Sequence, residues 1–302
     1  MTIPAENGSL LVAVDVDGTL LNTEFEDVLR PREIEAMDAV RAAGHVLALC
    51  TGRNLNSMRG LLEHSGWDPV DLPMVLLNGA VVWGGRPRRK LASNVLDRES
   101  ILALVRLFRD HDTVPMVYGT DDDGGVLHHE TRPTNDILGR YIGNRRQTVG
   151  AIHTVEDLTD LPWHEALEVG TIDLEDKVRS LSAAINERLA GQVKVINTRS
   201  LLGEGKYFWA EAFHAGTDKG RGLEVLAAEC GIPVRRSVAI GDNYNDLDMF
   251  AAAGFSVAMA GSPDEVRGRA DLVTGPVDEG GAADILERIA AGGFPPRPDA
   301  TA

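Results

Sequence analysis

Cysteine is almost missing from this chain: Cys50 and Cys230 are the only two in 302 residues, too few for a disulfide framework. Each stands beside an apolar segment, where a buried free thiol is the expectation. Basic residues are outnumbered, with 30 Lys and Arg against 46 Asp and Glu and a formal net charge of −16. Non-specific affinity for nucleic acid comes from Lys and Arg neutralising backbone phosphates, so that partner class is excluded. The one basic run, Arg86-Pro87-Arg88-Arg89-Lys90, is expected at a solvated hairpin tip. No apolar stretch approaches the roughly 20 residues of a membrane-spanning helix. Residues 1–8 lack the basic segment, apolar stretch and cleavage site of a secretory signal. No membrane association and a cytoplasmic location are therefore expected. No repeat or long low-complexity tract occurs, and nothing in the composition implies a protein partner.

What is present is an ordinary globular composition, 43% hydrophobic and 25% charged, at a length that suggests about two domains. Residues 10–14 form a short apolar run that ends in Asp15-Val16-Asp17-Gly18-Thr19, a buried strand feeding a loop. An amphipathic helix carrying Ile34, Met37 and Val40 follows, stopped by Gly44. A second strand over 46–49 leads to Thr51-Gly52-Arg53, and a third over 74–77 leads to Asn78-Gly79. This rhythm specifies a doubly wound α/β fold with a mainly parallel sheet. The middle of the chain breaks it. Asp97 opens a helix through Phe108, a polar stretch with His128, His129 and Arg132 follows, and residues 167–174, 177–189 and 193–196 read as strand, helix and strand. The α/β pattern then resumes with a helix over 220–230 and a strand over 237–240. Ser262-Pro263-Asp264-Glu265 combines an N-cap serine, N1 proline and N3 glutamate. The expectation is a discontinuous Rossmann-like core, residues 1–94 and 206–302, with an inserted α/β domain over 95–205 and a loose tail after Gly293.

Ligands of open α/β sheets collect beyond the carboxyl ends of the strands. Asp15 and Asp17, Thr51, Asn78, and the run Asp242 to Asp246 all fall there. Carboxylates so placed suit one hard cation, and Mg²⁺ keeps waters that a phosphate oxygen can replace. An attacking carboxylate must overcome repulsion from an anionic phosphate, which a bridging metal reduces. Asp15 is the expected nucleophile. Asp17, two residues on across the turn, is the expected acid and then base.

The set resembles the haloacid dehalogenase superfamily. DVDGTLL at 15–21 is similar to its first motif, CTGR at 50–53 to its second, DKG at 218–220 to its third and GDNYND at 241–246 to its fourth, in that order. The resemblance implies a Mg²⁺-dependent phosphomonoester hydrolase working through an aspartyl-phosphate on Asp15. It makes Thr51 a phosphate donor, Lys219 a counter-charge to nucleophile and phosphoryl group, and Asp242 a metal ligand beside the Asp15 carboxylate and the Asp17 carbonyl. It gives Asp246 to the metal shell. Gly18, Thr51, Gly52, Arg53, Asn78, Lys219 and Asn245 become the phosphate-contact candidates, with Arg53 read equally as a structural ion pair. Asn78-Gly79-Ala80 resembles a motif of the Cof-type branch, and the insertion is placed like a C2 cap. The implied substrate is a small phosphorylated metabolite, a sugar phosphate or a phosphorylated cofactor. Thr217-Asp218 departs from the hydrophobic-serine pair common before the motif lysine, which concerns local geometry only.

Plainer readings compete. An EF-hand needs further ligands and a closing glutamate, whereas Asp17 is followed by Leu20-Leu21. Lys219 alone is an ordinary solvated helix-start lysine, and Asp242 and Asp246 alone are acids favoured by a helix dipole. His128, His129 and Arg132 are expected in a mobile polar loop, and Trp209 in a core. The rival functions are a phosphomutase or phosphotransferase with the same covalent intermediate, and a non-catalytic phospho-ligand sensor.

Overall fold

The computed structural model describes residues 8–22, 26–67, 69–85, 88–148 and 151–294. The tip of the basic run at 86–87, the first seven residues and the tail from 295 lie outside the described residues. The chain divides into two compact units. Met1–Gly52, Leu61–Ala92 and Asp218–Ala302 form the first, and Arg53–Gly60 with Ser93–Thr217 the second. Among the described residues no helix is long and apolar enough to cross a membrane.

The first unit is built on an eight-stranded sheet. Its order is Leu272–Val273, Phe255–Ala258, Ser237–Gly241, Leu11–Val14, Val46–Cys50, Met74–Leu76, Val81–Gly84 and Arg89–Ser93. Leu11–Val14 lies near the centre, parallel to Ser237–Gly241 on one side and to Val46–Cys50 on the other. Helices cover the sheet, so its central strands are apolar on both faces: all four residues of Leu11–Val14 and all five of Ser237–Gly241 are buried. Met74–Leu76 turns back antiparallel into Val81–Gly84, where the parallel pattern ends. The helix Pro31–Ala42 stops as its sequence predicts, with Gly44 at φ 83°.

The second unit is a mostly antiparallel, seven-stranded sheet. Its order is Val193–Arg199, Tyr207–His214, Glu165–Leu174, Met116–Gly119, Leu127–Glu130 and Ile152–Val155, with Leu96–Asp97 pairing Glu165–Leu174. Helices Arg98–Asp110 and Glu175–Arg188 pack one face through Ile101, Leu104, Phe108, Val178, Leu181 and Ile185. Asp97 caps the first of them, its carboxylate accepting from Ser100 N at 2.8 Å.

Three expectations need correction. The return to the first unit comes at Asp218, not at residue 206, because Tyr207–His214 is a strand of the second sheet, paired on both sides. The segment with His128 and His129 is no mobile loop but the strand Leu127–Glu130. His128 stacks on His153 at 5.1 Å, buried His129 meets Glu130 O and Thr154, and Arg132 pairs with Glu130 at 2.7 Å. Ser262 caps nothing. Pro263 is the N-cap of the four-residue helix Asp264–Arg267, whose Arg267 guanidinium takes the Ser262 carbonyl at 2.6 Å.

Candidate active site

The first unit gathers acids at the carboxyl ends of two adjacent central strands. Asp15 follows Leu11–Val14, and its N–H donates to Ile240 O of the neighbouring strand at 2.9 Å. Asp242 follows Ser237–Gly241 directly, so both carboxylates leave the sheet side by side. The loop after Asp15 closes tightly: Gly18 N donates to Leu21 O at 2.7 Å, and Leu20 and Leu21 N–H groups return to Val16 O. Gly18 sits at φ 87°, and a Cβ there would fall 2.2 Å from Asp242 Oδ2. Only glycine fits both the backbone and the approach of the second carboxylate.

Lys219 opens the helix Lys219–Cys230, capped by Asp218 through Arg221 N at 2.7 Å. Its ammonium is fully buried and donates to Asp15 Oδ1 and Asp246 Oδ1, each at 2.7 Å. The other Asp246 oxygen accepts from Asp242 N at 2.9 Å and Asn243 N at 3.0 Å. Asp246 is thus engaged at both oxygens: it holds the lysine with one and the turn carrying Asp242 with the other. Thr19 Oγ1 reaches Asp242 Oδ1 at 3.4 Å. Thr19 was missed by the sequence reasoning although it lies inside the 15–21 motif, where its hydroxyl was the available signal. Thr51 is buried at the end of Val46–Cys50, its N–H donating to Val75 O and its carbonyl accepting from Asn78 N at 3.0 Å. Asn78 adopts φ 52°, and its amide oxygen accepts from Asn245 Nδ2 at 2.8 Å. A Cβ on Gly52 would stand 3.4 Å from that same Asn78 amide. Asn78 thus joins Thr51, Gly52 and Asn245. Asp17 is partly exposed, and its charge bears on Asp15. Arg53 is buried but belongs to the second unit.

The electrostatics of this cluster are unbalanced. Ligand atoms of Asp15, Asp242 and Asp246 lie within 4.8 Å of one another, all three residues are buried, and the Lys219 ammonium pairs with Asp15 and Asp246. Burial pushes the Asp15 carboxyl up to about 7, against the pull of Lys219. Burial, then repulsion from Asp15 and Asp246, raises Asp242 well above the usual carboxylate range. Desolvation pulls Lys219 down, but the two carboxylates outweigh it and keep the ammonium charged. Fully ionised, these three carboxylates and the Lys219 ammonium sum to two negative charges in a buried site. All-oxygen donors with that surplus fit a hard divalent cation.

A family profile described as haloacid dehalogenase-like hydrolase matches residues 12–286. The chain is 29% identical to a 5-amino-6-(5-phospho-D-ribitylamino)uracil phosphatase of Bacillus subtilis, over 94% of this chain and 99% of that protein. It is 26% identical to a pyridoxal phosphate phosphatase of Escherichia coli, over 88% and 93% of the two chains. Among solved structures, a haloacid dehalogenase-like hydrolase from Bacteroides thetaiotaomicron matches with a TM-score of 0.73 at 26% identity, covering 93% of this chain and 99% of that one. The chain belongs to the haloacid dehalogenase-like hydrolases and is an enzyme of that family's phosphatase kind.

Proposed function

We propose that this enzyme is a Mg²⁺-dependent phosphomonoester hydrolase that acts on a small phosphorylated metabolite through a covalent intermediate on Asp15. The observation that carries the reading is the buried Lys219 ammonium, 2.7 Å from both Asp15 and Asp246 inside a carboxylate cluster at the strand ends. A structural lysine has no need of that setting, whereas an attacking carboxylate needs an orienting cation that stays charged.

Lys219 fixes one oxygen of Asp15 and so orients the carboxylate. An Asp15 oxygen attacks phosphorus, the O–P bond forms, and the bond from phosphorus to the leaving oxygen breaks. Asp17 gives its proton to that oxygen and releases an alcohol. Asp17, now a carboxylate, takes a proton from water as the water oxygen attacks phosphorus. The bond to Asp15 breaks, phosphate leaves and both acids return to their starting state. Thr51, Asn78 and Asn245 are the candidate hydrogen-bonding groups for the phosphoryl oxygens, and Lys219 supplies fixed positive charge. Asp15, the Asp17 carbonyl and Asp242 are the groups that would hold Mg²⁺, while Asp246, its oxygens already engaged, supports them. When bound, the cation offsets the repulsion between Asp15 and the incoming phosphate.

The test is phosphate release from a panel of sugar and cofactor phosphates, with Mg²⁺ and with chelator, comparing the native chain with Asp15→Asn. Release that requires Mg²⁺ and falls on the order of 10⁴-fold or more in Asp15→Asn is the expected result. Cleavage of the ester only when an alcohol is added, with the phosphoryl group recovered on that alcohol and no free phosphate, would make the enzyme a transferase. Tight ligand binding with no release would make it a sensor.

A further inference from the structure

The turn that joins Met74–Leu76 to Val81–Gly84 is more constrained than a hairpin requires. Leu76 faces Val81 across the ladder, so Leu77, Asn78, Gly79 and Ala80 make the connection. An Asn-Gly pair alone closes a hairpin, because both residues accept positive φ, and Asn78 and Gly79 adopt it at 52° and 104°. Leu77 joins them at φ 47°, a conformation that crowds its Cβ. Turns ordinarily stand in solvent, yet Leu77, Asn78 and Ala80 are 1% exposed or less. Strain of this kind persists where the surroundings over-determine it, and it collects at functional sites.

The surroundings are three loops of the first unit. Asn78 N donates to Thr51 O at 3.0 Å, which ties the turn to the end of Val46–Cys50. Gly79 lies so close to the residue before Lys219 that a Cβ would fall 2.2 Å from Asp218 O. The Asn78 amide oxygen accepts from Asn245 Nδ2 at 2.8 Å. Asn245 Oδ1 is buried with no hydrogen-bond partner, so the bond to Asn78 decides which way the Asn245 amide faces. A phosphoryl oxygen and the Asn78 oxygen are both acceptors and offer each other no hydrogen. The amide nitrogen of Asn245 carries two hydrogens, and with one given to Asn78 the direction of the other is set. We propose that Asn78 is a positioning residue that acts on the phosphoryl group through Asn245: its left-handed turn aims the second Nδ2 hydrogen of Asn245 and keeps the loops of Thr51 and Lys219 in register. The proposal rests on the phosphatase reading for what the aimed hydrogen meets, and it removes Asn78 from the groups that touch the phosphoryl oxygens directly.

The test is a double-mutant cycle on the binding of inorganic phosphate with Mg²⁺ present, measured by calorimetry in the native chain, Asn78→Gly, Asn245→Ala and the two combined. Glycine leaves the left-handed backbone accessible and removes only the side chain. Each single substitution is expected to weaken phosphate binding about tenfold, the scale of one charge-assisted hydrogen bond, and the double substitution no more than Asn245→Ala alone. Additive losses, about a hundredfold in the double variant, would mean that Asn78 touches phosphate itself. A lower urea midpoint in Asn78→Gly with native phosphate affinity would make its role structural. Either result overturns the proposal. Should Asn78→Gly not fold, or phosphate bind too weakly to measure, the native chain decides: the Asn245 side-chain NH2 resonances, assigned through Asn245→Ala, should be protected from solvent exchange before any phosphate is added. Unprotected resonances would equally overturn it. Loss of Asp15-dependent hydrolysis on every ester, with the non-additive cycle intact, would instead overturn the phosphatase reading and leave Asn78 as the positioning residue of a phosphate-binding site.

Discussion

Lys219 is the residue on which the first unit's electrostatics turn. Two buried carboxylates, Asp15 and Asp246, accept from its ammonium, each at 2.7 Å. Replacing it by Met removes the charge and strands both acids in a desolvated site, a change that costs about 3–5 kcal/mol when one side of a buried pair is deleted. The expected result is a lower denaturant midpoint for Lys219→Met, with much of the loss recovered in Lys219→Met combined with Asp15→Asn. A double-mutant cycle from urea unfolding measures this, and a coupling energy near zero would show that the pair does not interact as described. The sequence singled out Lys219, Asp15, Asp242 and Asp246, four side chains that the fold brings together, through the order of their motifs. It did not reveal that Asp246 spends both oxygens on Lys219 and on the Asp242 and Asn243 N–H groups, since hydrogen-bond saturation depends on the turn geometry.

At the scale of elements, the loop following Leu11–Val14 is the point of least tolerance. Gly18→Ala places a methyl group 2.2 Å from Asp242 Oδ2 and demands φ 87° of a residue with a Cβ. The loop or Asp242 must shift, so the expected outcome is weaker Mg²⁺ binding by at least tenfold, roughly 1.4 kcal/mol, read by calorimetry. Asp97→Ala is a contrasting case: it removes one N-cap bond from Arg98–Asp110 and should cost about 1 kcal/mol of stability, read by urea unfolding, with no change in Mg²⁺ affinity. Both positions were named from the sequence, Gly18 as a phosphate-contact candidate in the loop after the first strand and Asp97 as the residue that opens a helix. Tyr207–His214 was not, because YFWAEAFH is apolar or aromatic at nearly every position and shows no strict alternation. Its aromatic content between Gly205 and Gly216 was the available cue to a strand buried on both faces.

Across the whole molecule, acids dominate, and several are held where folding raises their proton affinity. Glu168 shows the consequence most simply. Its pKa in the folded chain lies well above the ordinary 4.5, through burial first and Glu211 second, so the native state keeps a proton that the unfolded state gives up. Stability from this group is complete below the ordinary value and is lost as pH rises toward the folded value. Glu168→Gln fixes the neutral form. The variant should therefore match the native chain near pH 5 and exceed it in stability near pH 8, as followed by hydrogen exchange of the amides in Glu165–Leu174 and Tyr207–His214 at the two pH values. Equal protection at both would mean that Glu168 is ionised and compensated in the folded chain. A gain in stability at pH 8 in Glu168→Gln would mark Glu168 as a residue whose charge is held at a cost to the fold, since its Oε1 has no hydrogen-bond partner there.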